Sequence, residues 1–222
     1  TLTRNAEDLL KRHELMVTGT RLGGGVIPFS HDIGADAINA VTITANLMGK
    51  NEYVERASNY RKHLQKNDLA VATAMTDVKG DRRLHPSSPK QAHPDYYVRV
   101  VNKDGKGIIV RGAKAHITAA AYCNDIFVTP CRAMSEQDAD YAVAFAIPAN
   151  TKGVTQICHP TRTRLSPFEF PVDLPLRAHT DSLIIFEDVF VPWERVFLCG
   201  EWQFAMPLVY NFATLHRHTA CS

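Results

Sequence analysis

The chain has 222 residues, 45% hydrophobic and 22% charged, the composition of a globular protein long enough to bury a sizeable core. Its 25 Lys and Arg stand against 23 Asp and Glu with no basic block, which excludes an electrostatic footprint for nucleic acid. No apolar run reaches the about 20 residues that cross a bilayer, and TLTRNAEDLL lacks the basic-then-apolar pattern of a signal peptide, so no membrane partner and a cytoplasmic location are expected.

In chain order, the first third reads as helical. Asn5, with Asp8 three residues on, is a cap, and Ala6, Leu9, Leu10, His13, Met16 and Val17 recur at helical spacing until Gly19. Gly23, Gly24, Gly25 and Pro28 make a breaker loop. A second helix is predicted over 35–48, ending at Gly49, and Val54, Ala57, Tyr60 and Leu64 mark a third. Beyond Leu69 the period becomes extended. YYVRVV (96–101), NKDGKG and IIVRG (108–112) read as a β-hairpin with an Asp-Gly turn. Further strands are predicted over 126–129, 141–147, 154–158, 183–186 and 189–191, a pattern that suggests a small sandwich or barrel. From Trp202 a helix resumes, tolerating Pro207 in its first turns and carrying Val209, Phe212, Ala213 and His216 at helical spacing.

Cys123, Cys131, Cys158, Cys199 and Cys221 are odd in number and scattered without a C-x-x-C pair, which argues against a disulfide framework or zinc knuckle and leaves free, buried thiols as the expectation. The chain lacks an initiator Met and ends at HRHTACS inside a helical pattern with no Gly or Pro stop, so both ends are expected to be cuts.

Three segments could carry chemistry. MTDVKGDR (75–82) turns sharply at Gly80 and offers backbone N–H groups, the Thr76 hydroxyl, and the cations Lys79 and Arg82. A loop of that kind suits an isoalloxazine edge, where negative charge gathers on reduction; a solvated turn in which Asp81 pairs with Arg82 or Lys79 is the plainer reading. RGAKAHITAAA (111–121) runs a strand into small residues that let a flat ring approach, with Thr118 able to donate to it and His116 beside it; a packed strand with a satisfied core histidine is the plainer reading here. HRHTAC (216–221) brings two imidazoles and a thiol close together but matches no zinc signature, and residues two apart on a helix face different ways. One of its histidines has the unperturbed pKa of a general base at neutral pH.

Together MTDVKGDR, VRGAKAH, DYAVAFAIP, VFVPWERVFLCGEWQFA and FATLHR resemble the 4-hydroxyphenylacetate 3-hydroxylase family, and within it the 4-hydroxybutyryl-CoA dehydratase branch more than the aromatic hydroxylases. The resemblance implies an α+β, acyl-CoA-dehydrogenase-like fold assembled as a homotetramer with FAD. An N-terminal helical domain would span 1–72 and a flavin-binding β-barrel or sandwich domain 73–200. A C-terminal helical domain would start at 201–222 and be largely absent. It places flavin contacts on Met75, Thr76, Lys79, Gly80, Asp81, Arg82 and Thr118, a substrate contact on His116, and catalytic roles on His216 and Asp181.

Departures from the family narrow the reading. The dehydratase holds a [4Fe–4S] cluster with one His and three Cys, two of them directly after a TGT motif. Here Thr18-Gly19-Thr20 is followed by Arg21, no cysteine precedes Cys123, and Cys221 is two residues out of register, so the cluster is not expected and no metal site is assigned. The positions that hold a phenolate in the hydroxylases fall near Ile33, Ala37 and Thr73, none of which ionises. The leading expectation is therefore a cluster-free FAD enzyme acting on an acyl-CoA or similar activated acid by dehydration, isomerisation or CH–CH oxidoreduction. The alternatives are a two-component flavin monooxygenase fed by a flavin reductase, and a catalytically silent scaffold.

Overall fold

The computed structural model describes residues 4–22, 29–159 and 180–220. Three helices lead: α1 (Ala6–Leu22), α2 (Phe29–Met48) and α3 (Asn51–Asn67). Eight strands follow: β1 (Val71–Ala74), β2 (Arg99–Lys103), β3 (Gly107–Thr118), β4 (Asp125–Val128), β5 (Val143–Pro148), β6 (Val154–His159), β7 (Asp181–Pro192) and β8 (Val196–Cys199). Helix α4 (Ala205–Ala220) closes the described chain.

The strands form two four-stranded sheets, ordered β1-β4-β5-β8 and β2-β3-β7-β6. The result is an open sandwich among the described residues, not a closed barrel. Only β1 and β4 run parallel; the other pairs are antiparallel.

Alternation of side chains explains how the layers stack. Along β4 and β5, Ile126, Val128, Val143, Phe145 and Ile147 point between the sheets, where they meet Ile108, Val110, Ile184 and Phe186. The residues between them, Phe127, Ala144 and Ala146, point the other way into a second core with Ile38, Val41, Tyr60 and Leu64 of α2 and α3 and Leu208 and Phe212 of α4. The first sheet is covered on both faces, which is why AVAFAI reads as an unbroken apolar run. That second core joins helices from both ends of the chain to strands between them, and the expected boundary at 72/73 falls inside β1.

Several elements differ from the sequence expectation for local reasons. The Asn5 cap forms, with its Oδ1 accepting from Asp8 N at 2.9 Å, but α1 runs through Gly19 to Leu22 because one interior glycine costs a helix only about 1 kcal/mol. Helix α2 begins six residues before the expected Ala35 and includes Gly34, where a Cβ would sit 2.7 Å from Val71 Cβ. Glycine there lets helix and strand approach. Residues 94–96 form a 3-10 turn instead of strand, so the hairpin starts at Arg99; Asp104 Oδ1 accepts from Lys106 N (2.7 Å) and Gly107 N (3.1 Å) to close its turn. The two short strands at 183–186 and 189–191 are one strand, β7, kinked at Asp188 with φ +50°. The cysteines correct the expectation of burial: Cys123, Cys131 and Cys199 are half-buried and Cys158 is exposed, all free. The glycine-rich loop at 23–25 and Cys221 lie outside the described residues. No helix among those residues is long and apolar enough to cross a membrane.

Candidate active-site cleft

Where β1 ends, the chain passes over the end of β3. Ala115 N donates to Thr76 O at 2.8 Å, and Asp77 bridges to Lys114, so the two segments are stitched side by side. Strand β3 is irregular here. Its register against β7 slips between Lys114 and Ile117, and His116 and Ala119 both take left-handed backbone conformations, φ +58° and +67°. Two such residues around Thr118 store local strain of a kind found where side chains are aimed for function.

The outcome is a cleft of about 150 Å3 lined by Met75 and Thr76 after β1, His116 and Thr118 on β3, and Phe212 and His216 on α4, with Ile33 and Thr73 also on its wall. Five sequence candidates from three distant segments thus share one opening. Asp181 pairs in register with Thr118, whose hydroxyl donates to Asp181 Oδ1 at 2.7 Å. That contact alters the expectation for Thr118. A hydroxyl has one proton, and here it is given to a carboxylate, so Thr118 offers a ligand its lone pairs.

Lys79, Gly80, Asp81 and Arg82 do not line this cleft. They form a separate turn in which Lys79 (φ +76°) and Gly80 (φ +52°) are both left-handed and Lys79 N donates to Tyr96 O at 3.2 Å. Asp81 is held by Arg83, not by Arg82 or Lys79: Nε and Nη2 donate at 3.1 and 2.8 Å. These hydrogen bonds keep the exposed carboxyl at about 2. Gln91 fastens the same turn, donating from Nε2 to Asp81 O at 2.9 Å and accepting from Asp81 N at 3.2 Å.

Beneath the cleft lie charged groups that the motif reading passed over. Lys114 is buried and spends all three ammonium protons, on Asp77 Oδ1 (2.7 Å), Met75 O (2.9 Å) and Thr129 O (2.8 Å). Asp77 also accepts from Val98 N at 3.1 Å. Counting by two from Ile108 and Val110 puts Lys114 on the inward face of β3, a signal already present in the sequence. On the helical side, Asp36 is wholly buried, ion-paired with Arg12 of α1, with its Oδ2 3.4 Å from His216 Nδ1. The His216 ring stacks on Phe212 at 5.3 Å. Asp36 was visible only as a lone carboxylate in the apolar run ADAINAV. No group of three or more His, Cys, Asp and Glu among the described residues is arranged to hold a metal ion.

Residues 1–198 match the family description "4-hydroxyphenylacetate 3-hydroxylase N terminal". The chain belongs to the 4-hydroxyphenylacetate 3-hydroxylase family. Within that family it is 39% identical over 198 residues to the 4-hydroxybutyryl-CoA dehydratase/vinylacetyl-CoA-Δ-isomerase of Clostridium aminobutyricum, covering 86% of this chain and 40% of that protein. It is 33% identical over 202 residues to the 4-hydroxyphenylacetate 3-monooxygenase oxygenase component of Thermus thermophilus, covering 90% of this chain and 40% of that one. Among solved structures it superposes on an oxygen-tolerant archaeal 4-hydroxybutyryl-CoA dehydratase from N. maritimus with a TM-score of 0.83 at 34% identity, over 98% of this chain and 44% of the other. An oxygenase component of 4-hydroxyphenylacetate 3-monooxygenase complexed with FAD matches with a TM-score of 0.82 at 30% identity, over 99% and 45%. The chain therefore spans less than half the length of these relatives, both branches of which are enzymes.

Proposed function

We propose that the chain forms one wall of an FAD-dependent active site of the dehydratase-like branch, acting on an acyl-CoA or similar activated acid. The observation that carries this reading is the convergence of Met75, Thr76, Thr118 and His216 on one cleft. The greater identity to the dehydratase relative, 39% against 33%, favours that branch. So does the wall: Ile33 and Thr73 line it where a phenolate would need a cation.

The cleft suits one edge of a flavin. The Thr118 lone pairs and the Thr76 hydroxyl face a shared opening with the Met75 side chain, while the left-handed turn at His116 leaves its imidazole exposed. Bound there, FAD supplies an electron or hydride acceptor that makes loss of a proton α to a thioester feasible. The chain's own residues do the rest. His216, a third exposed, takes or returns the substrate proton; Asp181 orders the Thr118 hydroxyl; Phe212 and Ile33 exclude water; His116 at the rim meets the substrate. Flavin contacts from residues 79–82, a homotetramer and cluster-free chemistry belong to the same proposal.

The test is exchange of solvent deuterium into the α-carbon of an acyl-CoA by the whole FAD-loaded protein. Exchange that His216→Gln lowers by about 10²-fold or more supports the reading. A protein that takes up no FAD, or exchange that the substitution leaves intact, overturns it. The 30–33% identity to monooxygenase oxygenase components supports a second reading, in which a flavin reductase supplies reduced FAD and a phenol is the substrate. Oxygen uptake dependent on both would select it.

A further inference from the structure

We propose that Asp36 is a positioning residue that holds the His216 proton on Nδ1 and so leaves Nε2 unprotonated toward the cleft. The inference deepens the reading above and rests on it only for the use made of Nε2. Three helices build the arrangement: α1 brings Arg12, α2 Asp36 and α4 His216. The Asp36 carboxylate is fully buried and steered by Arg12, whose charge offsets its own. His216 Nδ1 is buried, and no hydrogen bond reaches it. Yet the side chain is 32% exposed, so its exposure lies on the rest of the ring, which carries Nε2. Stacking on Phe212, with 16° between the ring planes, fixes the orientation.

The two neutral tautomers then differ sharply. With the proton on Nε2, the Nδ1 lone pair would confront Asp36 Oδ2 at 3.4 Å, acceptor against acceptor, and a buried nitrogen would stay unsatisfied. With the proton on Nδ1, a small reorientation that aligns the N–H with Asp36 Oδ2 gives a charge-assisted hydrogen bond. Leaving a buried polar atom unpaired shifts such an equilibrium by about tenfold or more. The proton therefore sits on Nδ1, and the Nε2 lone pair becomes the acceptor in the cleft, the tautomer control that a second hydrogen-bond partner exerts on imidazoles generally.

Solid-state 15N NMR of the whole protein labelled with [15N]histidine tests this directly, the His216 signals being assigned by their loss in His216→Gln. The expected result is an Nδ1–H tautomer in the unsubstituted protein and a shift to Nε2–H in Asp36→Asn, whose amide can donate to Nδ1. Asp36→Glu should restore part of the original signal. On turnover, Asp36→Asn should lower kcat by about 10- to 100-fold with KM little changed, as removal of an outer hydrogen-bond partner typically does. A His216 found as Nε2–H or doubly protonated in the unsubstituted protein overturns the proposal, as does a tautomer indifferent to Asp36→Asn. If Asp36→Asn does not fold, the unsubstituted spectrum decides. Because the spectrum needs neither flavin nor turnover, failure of the functional reading would leave this result standing.

Discussion

Two buried carboxylates, each beside a nitrogen base, flank the start of the cleft, and the pairs differ in what they leave unspent. Lys114 and Asp77 form a closed unit: every ammonium proton has an acceptor within 3 Å, and Asp77 accepts a further backbone N–H. Asp36 and His216 form an open one, with a buried nitrogen short of a partner and the rest of the ring exposed beside the cleft. Asp77 and Asp36 are both buried, so burial of the carboxylate alone does not separate the two pairs. Residual hydrogen-bonding capacity does. The closed pair fixes the Met75 carbonyl from below and is framework; the open pair retains an atom for chemistry.

Removing one member of the closed pair should have the largest effect. Lys114→Met leaves Asp77 buried without its cation and is expected to lower unfolding free energy by about 3–5 kcal/mol, read by urea denaturation. Replacing both members, Lys114→Met with Asp77→Leu, should recover part of the loss, because an apolar pair needs no compensation. A loss below about 1 kcal/mol for the single substitution would mean the pair is not framework.

A second closed unit provides a control remote from the cleft. Asp138 is wholly buried and accepts from Ser87 N and Oγ, Ser135 N and Oγ, and His85 Nδ1 at 2.6–3.1 Å. Burial pushes its pKa up, but the hydrogen bonds from Ser87, Ser135 and His85 outweigh that and hold it well below the usual carboxylate range. A depressed folded-state value contributes stability fully present above the unfolded value of about 3.9 and lost as pH falls further. Asp138→Asn should therefore cost about 2 kcal/mol at pH 7, with the gap to the unsubstituted protein narrowing below about pH 4. An equal gap at pH 7 and pH 3 would contradict the assignment.

Residues 79–82 test whether the comparison extends to the loop that the sequence offered for flavin. At Gly80 a Cβ would lie 2.4 Å from Tyr96 Cδ2 and 2.7 Å from Gln91 Oε1, at φ +52°. Gly80→Ala is expected to cost about 1–2 kcal/mol in thermal or chemical unfolding. If FAD affinity is retained once the protein is folded, the turn is a structural clasp and the proposed flavin contact fails; a loss of affinity beyond the stability effect supports that contact.

What the sequence made legible follows from where the information is local. Helices α1 to α4 and the hairpin came from periodicity and caps, and His116, Thr118 and His216 were singled out although 98 residues separate the second and third. Strand β8 (VFLC) was not recognised, because four apolar residues after a Trp-Glu-Arg turn have no period to count. Asp36 was missed for a different reason. Its neighbours Ile33 and Ala37 fall at family motif positions but Asp36 does not, and a single carboxylate becomes informative only once α1 and α4 bring Arg12 and His216 against it. Asp81 was correctly suspected of an ion pair but with the wrong arginine, since the turn at Lys79 and Gly80 directs it to Arg83.

The finest test concerns the direction of one hydroxyl proton. Thr118 donates to Asp181, so toward the cleft it is an acceptor. On the proposed function, such an acceptor favours reduced flavin, whose N5 carries a proton, over oxidised flavin, whose N5 is itself an acceptor. Thr118→Val is nearly isosteric and is expected to weaken reduced FAD by about 1 kcal/mol, roughly fivefold, while leaving oxidised FAD little changed, as measured by anaerobic titration. Asp181→Asn should act in the opposite sense on the oxidised form, because the amide can donate to Thr118 and release the hydroxyl proton toward the cleft. If both substitutions change the two redox forms equally, Thr118 contributes shape alone, and the polar contacts left to a ligand are those of Thr76, His116 and the imidazole held by Asp36.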